Sequence, residues 1–250
     1  MAIKVFGNLP ELYFDMLSII IPTLNEEKYL PRLLEAIKGQ DFFDYEIIVS
    51  DGGSSDQTVM IANKFSARVV IDGRIKHPST QRNNGMAIAQ GEIFLFLDAD
   101  SVIEPGFLKI ADKQFREKKL TAAGFYLVFN PNRWYYNFYS FISNAICLVK
   151  QLTAYPAAVG AGMMVSRSAY EKIGGFDVEV TLAEDYDYCA RLSKIGKFRM
   201  IKGCRLLYSS RRLEKEGFWR TGWKWFKMGV FTFSHRKIKK QIVKYDFGKF

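Results

Sequence analysis

The sequence predicts an α/β fold: a Rossmann-like, mixed but mostly parallel sheet flanked by helices, with a basic helical appendage at the carboxyl-terminal end. Apolar runs of strand length alternate with helical patterns roughly every 25 residues through the first half, the signature of βαβ units. Polar residues gather where three of those runs stop, which is where open α/β sheets bind ligands. The 250 residues are 48% hydrophobic with ordinary charge content, enough for one sizeable core.

Taken in order, residues 17–21 form a buried strand ended by Pro22, and Asn25-Glu26-Glu27 opens a helix with Leu30, Leu33, Leu34 and Ile37 on one face. A strand at 46–50 leads into the turn Asp51-Gly52-Gly53-Ser54-Ser55-Asp56 and a helix reaching residue 65. After a strand at 68–71, Ser79 caps a helix to Ala89, and Gly91 closes it before the strand at 93–97. Beyond Pro105 the pattern gives a helix at 107–118, a strand at 121–129, and an aromatic stretch at 133–153. That stretch is either a core helix, the preferred reading, or a wall for a greasy or sugar acceptor. Gly160-Ala161-Gly162 opens a strand reaching 165, in the wrong context for a dinucleotide fingerprint. Glu184-Asp185 stands ahead of a helix at 186–195 with Tyr188, Leu192 and Ile195 facing inward.

Composition narrows the function classes. Three cysteines without metal-like spacing point to a reducing cytoplasm, and two histidines argue against a histidine-built zinc site. No apolar run has the length of a membrane span, and residues 1–15 lack a signal-peptide pattern and read as an extension. The expected organisation is a main domain at 16–212, in two halves at 16–104 and 105–212, then a basic segment at 213–250. Charge is uneven: residues 196–250 hold 16 Lys and Arg against 3 acidic residues, while the chain as a whole carries +10.

The most informative motif is Asp98-Ala99-Asp100, which ends the strand at 93–97. Two carboxylates about 4 Å apart repel by about 4 kcal/mol at an effective dielectric of 20. Either one carboxyl stays protonated, or a positive partner sits beside them, usually a hard divalent cation such as Mg²⁺ or Mn²⁺ with phosphate oxygens completing its shell. An anionic donor with a diphosphate leaving group would account for much of the pattern. Asp100, aided by Asp98, holds the cation; Thr23, Asn25 and Glu26 stand beside the first strand; Asp51 is available to a pyrimidine N–H. Gly52 and Gly53 permit close backbone approach. Arg82 is either a phosphate counter-charge or a solvated helical arginine. Asp185 is the best candidate for the base that deprotonates an attacking hydroxyl, and one base with direct displacement inverts the reacting carbon.

Across residues 17–210 these motifs resemble the family 2 glycosyltransferases of GT-A fold, in the family's order. Ile21-Pro22-Thr23-Leu24-Asn25-Glu26-Glu27 matches the opening nucleotide pocket, and Ile48 to Asp56, including Asp51, Gly52 and Ser54, matches the second nucleotide contact. Gln81-Arg82-Asn83-Asn84-Gly85 matches the donor-reaching segment, and Asp98-Ala99-Asp100 the metal and diphosphate motif. Gly174-Gly175-Phe176-Asp177 and Glu184-Asp185 match the acceptor side, whose aspartate is the base. The resemblance implies a UDP-sugar donor, with GDP- or dTDP-sugars as alternatives, a divalent metal, and inversion. Many relatives carry a histidine metal ligand downstream. Here Tyr208-Ser209-Ser210-Arg211-Arg212 stands instead, making Arg211 and Arg212 candidate diphosphate contacts or solvent-facing arginines.

In the tail, Trp219, Trp223, Phe226, Val230 and Phe233 fall on one helical face, with Arg220, Lys224 and Lys227 on another. Such a helix either lies on an anionic membrane, at the inner face of the cell, or packs on the enzyme's own body. The acceptor is expected to be a glycan or a lipid-linked molecule. Two other readings compete: a sugar nucleotidyltransferase, which wants a glycine-rich loop where Pro22-Thr23-Leu24-Asn25 stands, and a basic nucleic-acid-binding protein. The acidic pocket speaks against the latter, and no nucleic-acid partner is expected.

Overall fold

The computed structural model describes residues 14–74, 76–130, 133–217 and 220–224. The extension before residue 14 and most of the tail, including Trp219, Phe226, Lys227, Val230 and Phe233, lie outside the described residues. Eight strands form one mixed sheet in the order β3-β2-β1-β4-β7-β6-β8-β5. Their bounds are β1 Phe14–Thr23, β2 Tyr45–Asp51, β3 Arg68–Ile71, β4 Gly91–Leu97, β5 Val102–Ile103, β6 Ala122–Asn130, β7 Gly162–Ser166 and β8 Phe198–Ser209. Helices are α1 Leu30–Lys38, α2 Thr58–Lys64, α3 Pro78–Ile88, α4 Phe107–Glu117, α5 Trp134–Lys150, α6 Arg167–Ile173, α7 Glu184–Leu192 and α8 Arg211–Glu216.

Strands β1 to β4 are mutually parallel, β7 runs antiparallel to both β4 and β6, and β6 pairs parallel with β8. The consequence for function is geometric. The carboxyl ends of β1, β2, β4, β6 and β8 and the start of β7 share one edge, where Thr23 pairs with Asp51, Leu97 with Gly162, and Asn130 with Ser209. Both faces are covered, so the central strands are nearly continuous apolar runs, interrupted by buried Ser18 and Ser50. Leu17, Ile19, Ile21, Leu95 and Leu97 pack with α1 and α4, while Ile20, Phe94 and Phe96 pack with α3, α6 and α7.

Several boundaries differ from expectation. The first helix starts at Leu30, not at Asn25. Asn25 has φ +56°, and the amides of Asn25, Glu26 and Glu27 donate to Ser54 Oγ, Thr58 Oγ1 and Asp56 Oδ2 instead of facing a pocket. The third helix is capped by His77, whose Nδ1 accepts from the Ser79 amide at 3.2 Å, so Ser79 lies inside it. Helix α7 takes Glu184 and Asp185 into its first turn and stops at Leu192, which leaves Ile195 exposed rather than inward. Strands β5 and β8 and helix α6 have no counterpart in the sequence reading, and α8 begins at Arg211, two residues ahead of the helical appendage expected from 213.

The core reading of residues 133–153 is also corrected. Helix α5 turns Ser140 and Asn144 toward β6, where Asn144 bonds both the amide and the carbonyl of Leu127 at 2.9 Å. Its outer face carries Trp134, Phe138, Phe141, Ile142 and Val149, all exposed. The core reading holds for the inner face, where Tyr136 and Cys147 join hydrophobic clusters, but not for the outer one.

Candidate active site

At the shared edge, the β2–α2 loop is built around Asp51, which is buried. Its Oδ2 accepts from Thr23 Oγ1 at 2.8 Å and Ser54 Oγ at 2.6 Å, and its Oδ1 accepts from the amides of Gly53 and Ser54 at 2.9 and 2.7 Å. Those four bonds use the capacity of a carboxylate. Asp51 here organises the loop, with Pro22 and Thr23 fixed beside it in β1. Gly52 sits against Gln81, since a Cβ there would meet Gln81 Nε2 at 2.1 Å. Gly53 has φ +85°, a conformation that glycine adopts without cost.

The second cluster joins chain ends far apart in sequence. Arg211, directly after β8, reaches Glu26 with both terminal nitrogens at 2.8 Å and Asp100 Oδ2 with Nε at 2.8 Å, while its guanidinium lies 4.6 Å from the Tyr29 ring centroid. Burial pushes the Asp100 carboxyl up to about 7; Arg211 pulls it down, and Asp98 and Glu26 push it further up. Burial likewise raises Glu26, against the pull of Arg211. Burial alone would disfavour the Arg211 charge, but Glu26 and Asp100 more than offset it and hold its pKa above the ordinary arginine range. A cavity opens beside Asp100, bordered by Tyr29, Arg32, Ser101, Tyr208 and Ser209, and its lining includes neither Asp51 nor Asp185. The Arg212 side chain lies outside the described part.

The third cluster links donor and acceptor sides. Arg82 is buried and donates to Asp98 Oδ1 at 3.0 Å, Glu184 Oε1 at 2.8 Å and the Gly160 carbonyl at 3.1 Å. It is thus not a solvated helical arginine, and Asp98 and Glu184 offset its burial and raise its pKa. Asp185 Oδ2 accepts from the Gly160 amide at 2.7 Å and Oδ1 from the Tyr186 amide at 2.9 Å. Burial, then repulsion from Glu184, push Asp185 up to about 7 despite Arg82 and those two amides. Asp51, Asp100 and Asp185 therefore sit in three separate polar clusters, with Arg211 holding the second and Arg82 the third, and the cavity beside Asp100 is not shared with the other two.

The donor chemistry at Asp98 and Asp100 fits a hard divalent cation. Both offer carboxylate oxygens, Asp100 is destabilised as an anion by burial and by its acidic neighbours, and a cation already compensates it there, in the form of the Arg211 guanidinium. Among the described residues no group of three or more His, Cys, Asp and Glu could hold a metal ion. The remaining ligands would have to come from phosphate oxygens, as Mg²⁺ sites commonly arrange.

A sequence model of the family described as "Glycosyl transferase family 2" matches residues 18–174. The chain belongs to that family. A chondroitin synthase of Escherichia coli is 30% identical over 194 residues, covering 74% of this chain and 28% of the synthase. A GalNAc(5)-diNAcBac-PP-undecaprenol beta-1,3-glucosyltransferase of Campylobacter jejuni is 39% identical over 101 residues, 37% of this chain and 32% of that one. The chain thus spans less than a third of the length of these two relatives. The crystal structure of Staphylococcus aureus TarS 1–349 in complex with UDP-GlcNAc superposes with a TM-score of 0.64 at 22% identity, over 78% of this chain and 58% of that one. The fold is the GT-A fold, with a central curled sheet flanked by helices.

Within this family 2 chain, two site positions escaped the sequence reading. Gly160 carries both the carbonyl that receives Arg82 and the amide that holds Asp185, and a Cβ there would lie 3.2 Å from each side chain. Its glycine-rich surroundings were the available signal. Asn83 ties the acceptor-side loop to α3: it bonds the Phe176 carbonyl and amide at 2.9 and 2.8 Å, and a Cβ on Gly175 would collide with it. Gly174 has φ +74° and open space around its Cβ position, so its role is the turn itself. Ala99 is buried between the two aspartates, in the core that α1 and α4 cover.

Proposed function

We propose that the chain transfers a glycosyl group from a nucleotide-diphospho-sugar, a UDP-sugar first among candidates, to an acceptor hydroxyl with inversion at the anomeric carbon. One observation carries this reading: Arg82 and Gly160 tie the Asp98 carboxylate to the Glu184-Asp185 turn. Family membership supports the transfer, and the likeness to a UDP-GlcNAc-bound GT-A structure supports the donor class. The names of the two relatives support a glycan or a lipid-linked acceptor. Three free, buried cysteines support a reducing compartment, and we assign the reaction to the cytoplasmic side.

In this reading residues 16–104 serve the donor and residues 105–212 the acceptor. Asp100, with Asp98, would hold a Mg²⁺ or Mn²⁺ ion, which when bound neutralises the leaving diphosphate. Pro22, Thr23, Asn25, Glu26, Asp51, Gly52 and Ser54 shape the nucleoside pocket, and Arg211 turns from Glu26 and Asp100 toward the incoming phosphates. Gly174, Gly175 and Glu184 frame the acceptor. Asp185 takes the proton of the attacking hydroxyl as its oxygen bonds to the anomeric carbon. The bond to the diphosphate breaks, and its electron pair leaves with the phosphate. The Gly160 and Tyr186 amides orient the carboxylate, and a pKa raised to about 7 suits a base working near neutrality.

A thermal-shift panel of UDP-, GDP- and dTDP-sugars, each with and without Mn²⁺ or Mg²⁺, tests the reading, because a bound donor raises the melting temperature by mass action. One nucleotide-sugar is expected to stabilise the protein in a metal-dependent way and to be consumed once an acceptor is supplied. Absence of stabilisation by every member of the panel would overturn it.

A further inference from the structure

Helix α5 is amphipathic the wrong way round for a helix that faces water. The side turned to the sheet carries Tyr136, Ser140, Asn144 and Cys147, with Ser140 and Asn144 bonded to β6 and the Tyr136 hydroxyl to Glu214. The opposite side presents Trp134, Phe138, Phe141 and Val149, at 81%, 58%, 71% and 63% exposure, and the stripe continues past the helix end to Leu152 at 82%. Positions 134, 138, 141, 145, 149 and 152 follow helical spacing, so these side chains form one continuous face. Contiguous apolar surface of this kind marks an interaction site.

Charge says which kind. The 17 residues of α5 contain no aspartate or glutamate, and exposed Arg133 precedes them. The chain leaves the described region beside this helix: Gly222 packs so close to Tyr139 that a Cβ would overlap its hydroxyl. The 26 residues that follow, 225–250, hold 7 Lys and Arg against 1 Asp, with four of the cations at Arg236, Lys237, Lys239 and Lys240. A second copy on the same face would bring two such cationic segments together. Folding the segment back would give its cations no carboxylate on α5. An anionic bilayer satisfies both features, taking the aromatic stripe at headgroup depth and the cations at its surface.

We propose that the outer face of α5 is a docking surface for an anionic lipid bilayer, assisted by the basic segment that starts beside it. The surface would hold the enzyme where a membrane-embedded acceptor presents its hydroxyl.

Vesicle co-sedimentation of the full chain tests this without donor or acceptor, so its outcome is independent of the proposed transfer. Binding is expected with phosphatidylglycerol–phosphatidylcholine vesicles at low salt, and only weakly with phosphatidylcholine alone. Phe138→Ser with Phe141→Ser is expected to lower partitioning by roughly tenfold or more, with the melting temperature unchanged. Replacing Arg236, Lys237, Lys239 and Lys240 by Gln is expected to abolish the preference for anionic vesicles. Wild-type protein that fails to sediment, or an α5 double variant that binds as wild type does, overturns the proposal. A wild-type dimer that the α5 variant dissociates would assign the face to a second copy. A lowered melting temperature with unchanged vesicle binding would assign it to residues 225–250.

Discussion

Asp100 and Asp185 are two buried carboxylates, each pushed up to about 7 by burial, yet they are held in opposite ways. Asp100 faces a side-chain cation, Arg211, which also grips Glu26 from another part of the chain. Asp185 is fixed by two backbone amides, those of Gly160 and Tyr186, and feels Arg82 only through space. A side-chain counter-ion can be exchanged for another cation, whereas amides in the turn ahead of β7 and in the first turn of α7 are held by the backbone. The first arrangement suits a site that trades counter-charges with an incoming anion. The second suits one that trades a proton without moving.

Removing the fixed carboxylate gives the largest effect. Asp185→Asn is expected to slow transfer by roughly 10²–10⁴-fold, the span of general-base catalysis, with donor affinity within about threefold of wild type by calorimetry. Next comes the exchangeable site: Asp100→Asn is expected to weaken metal-dependent donor binding by roughly 10–100-fold, the worth of one hydrogen bond to a charged group. If both variants fell equally in binding and in turnover, the contrast between the two carboxylates would dissolve.

Arg211→Ala sharpens the exchange idea. It leaves Glu26 and Asp100 buried without their partner and is expected to cost about 3–5 kcal/mol of stability. Added Mn²⁺ should then raise its melting temperature more than it raises that of wild type, since the ion no longer competes with a guanidinium. Equal Mn²⁺ shifts in both proteins would mean that Arg211 and a divalent cation do not share Asp100.

The proton-trading carboxylate has a pH signature. Its folded pKa lies above its ordinary 3.8, so the folded state binds the proton more tightly than the unfolded chain does. Relative to Asp185→Asn, wild type therefore keeps its full stability in acid and loses it as pH rises from about 4 through about 7. Turnover should move the other way, climbing to a plateau above about 7 as Asp185 ionises. Paired melting curves and kcat/KM profiles check both. The smallest effect is expected at Gly160→Ala, where a methyl 3.2 Å from Arg82 and Asp185 displaces both slightly. About tenfold lower kcat with unchanged donor affinity is expected there, from roughly 1–3 kcal/mol of crowding.

Much of this was legible in the chain. The strands β1, β2 and β4 are largely buried runs punctuated by glycine, proline and aspartate, and such punctuation survives folding. Asp98, Asp100 and Asp185 announced themselves as charges at element ends. What could not be read is what required distant partners. Arg211 meets Glu26 because β8 runs parallel to β6, a pairing of nine residue pairs made by a 12-residue strand with no clean alternation. Arg82 looked like any helical arginine until Gly160 and Glu184 closed around it. Helix α5 was only half legible for a physical reason: composition does not say which face is buried, and here Ser140 and Asn144 share the inner face with Tyr136 and Cys147.

The stereochemistry of a single turnover tests the one-base displacement most directly. Proton NMR of the product formed from an α-linked nucleotide-sugar, read before mutarotation or further turnover, reports the configuration of the new anomeric bond. A β-configured product is expected, with Asp185 as the sole proton acceptor. An α-configured product would require a second nucleophile at the reacting carbon and would contradict the assignment of Asp185 as the base of a direct displacement.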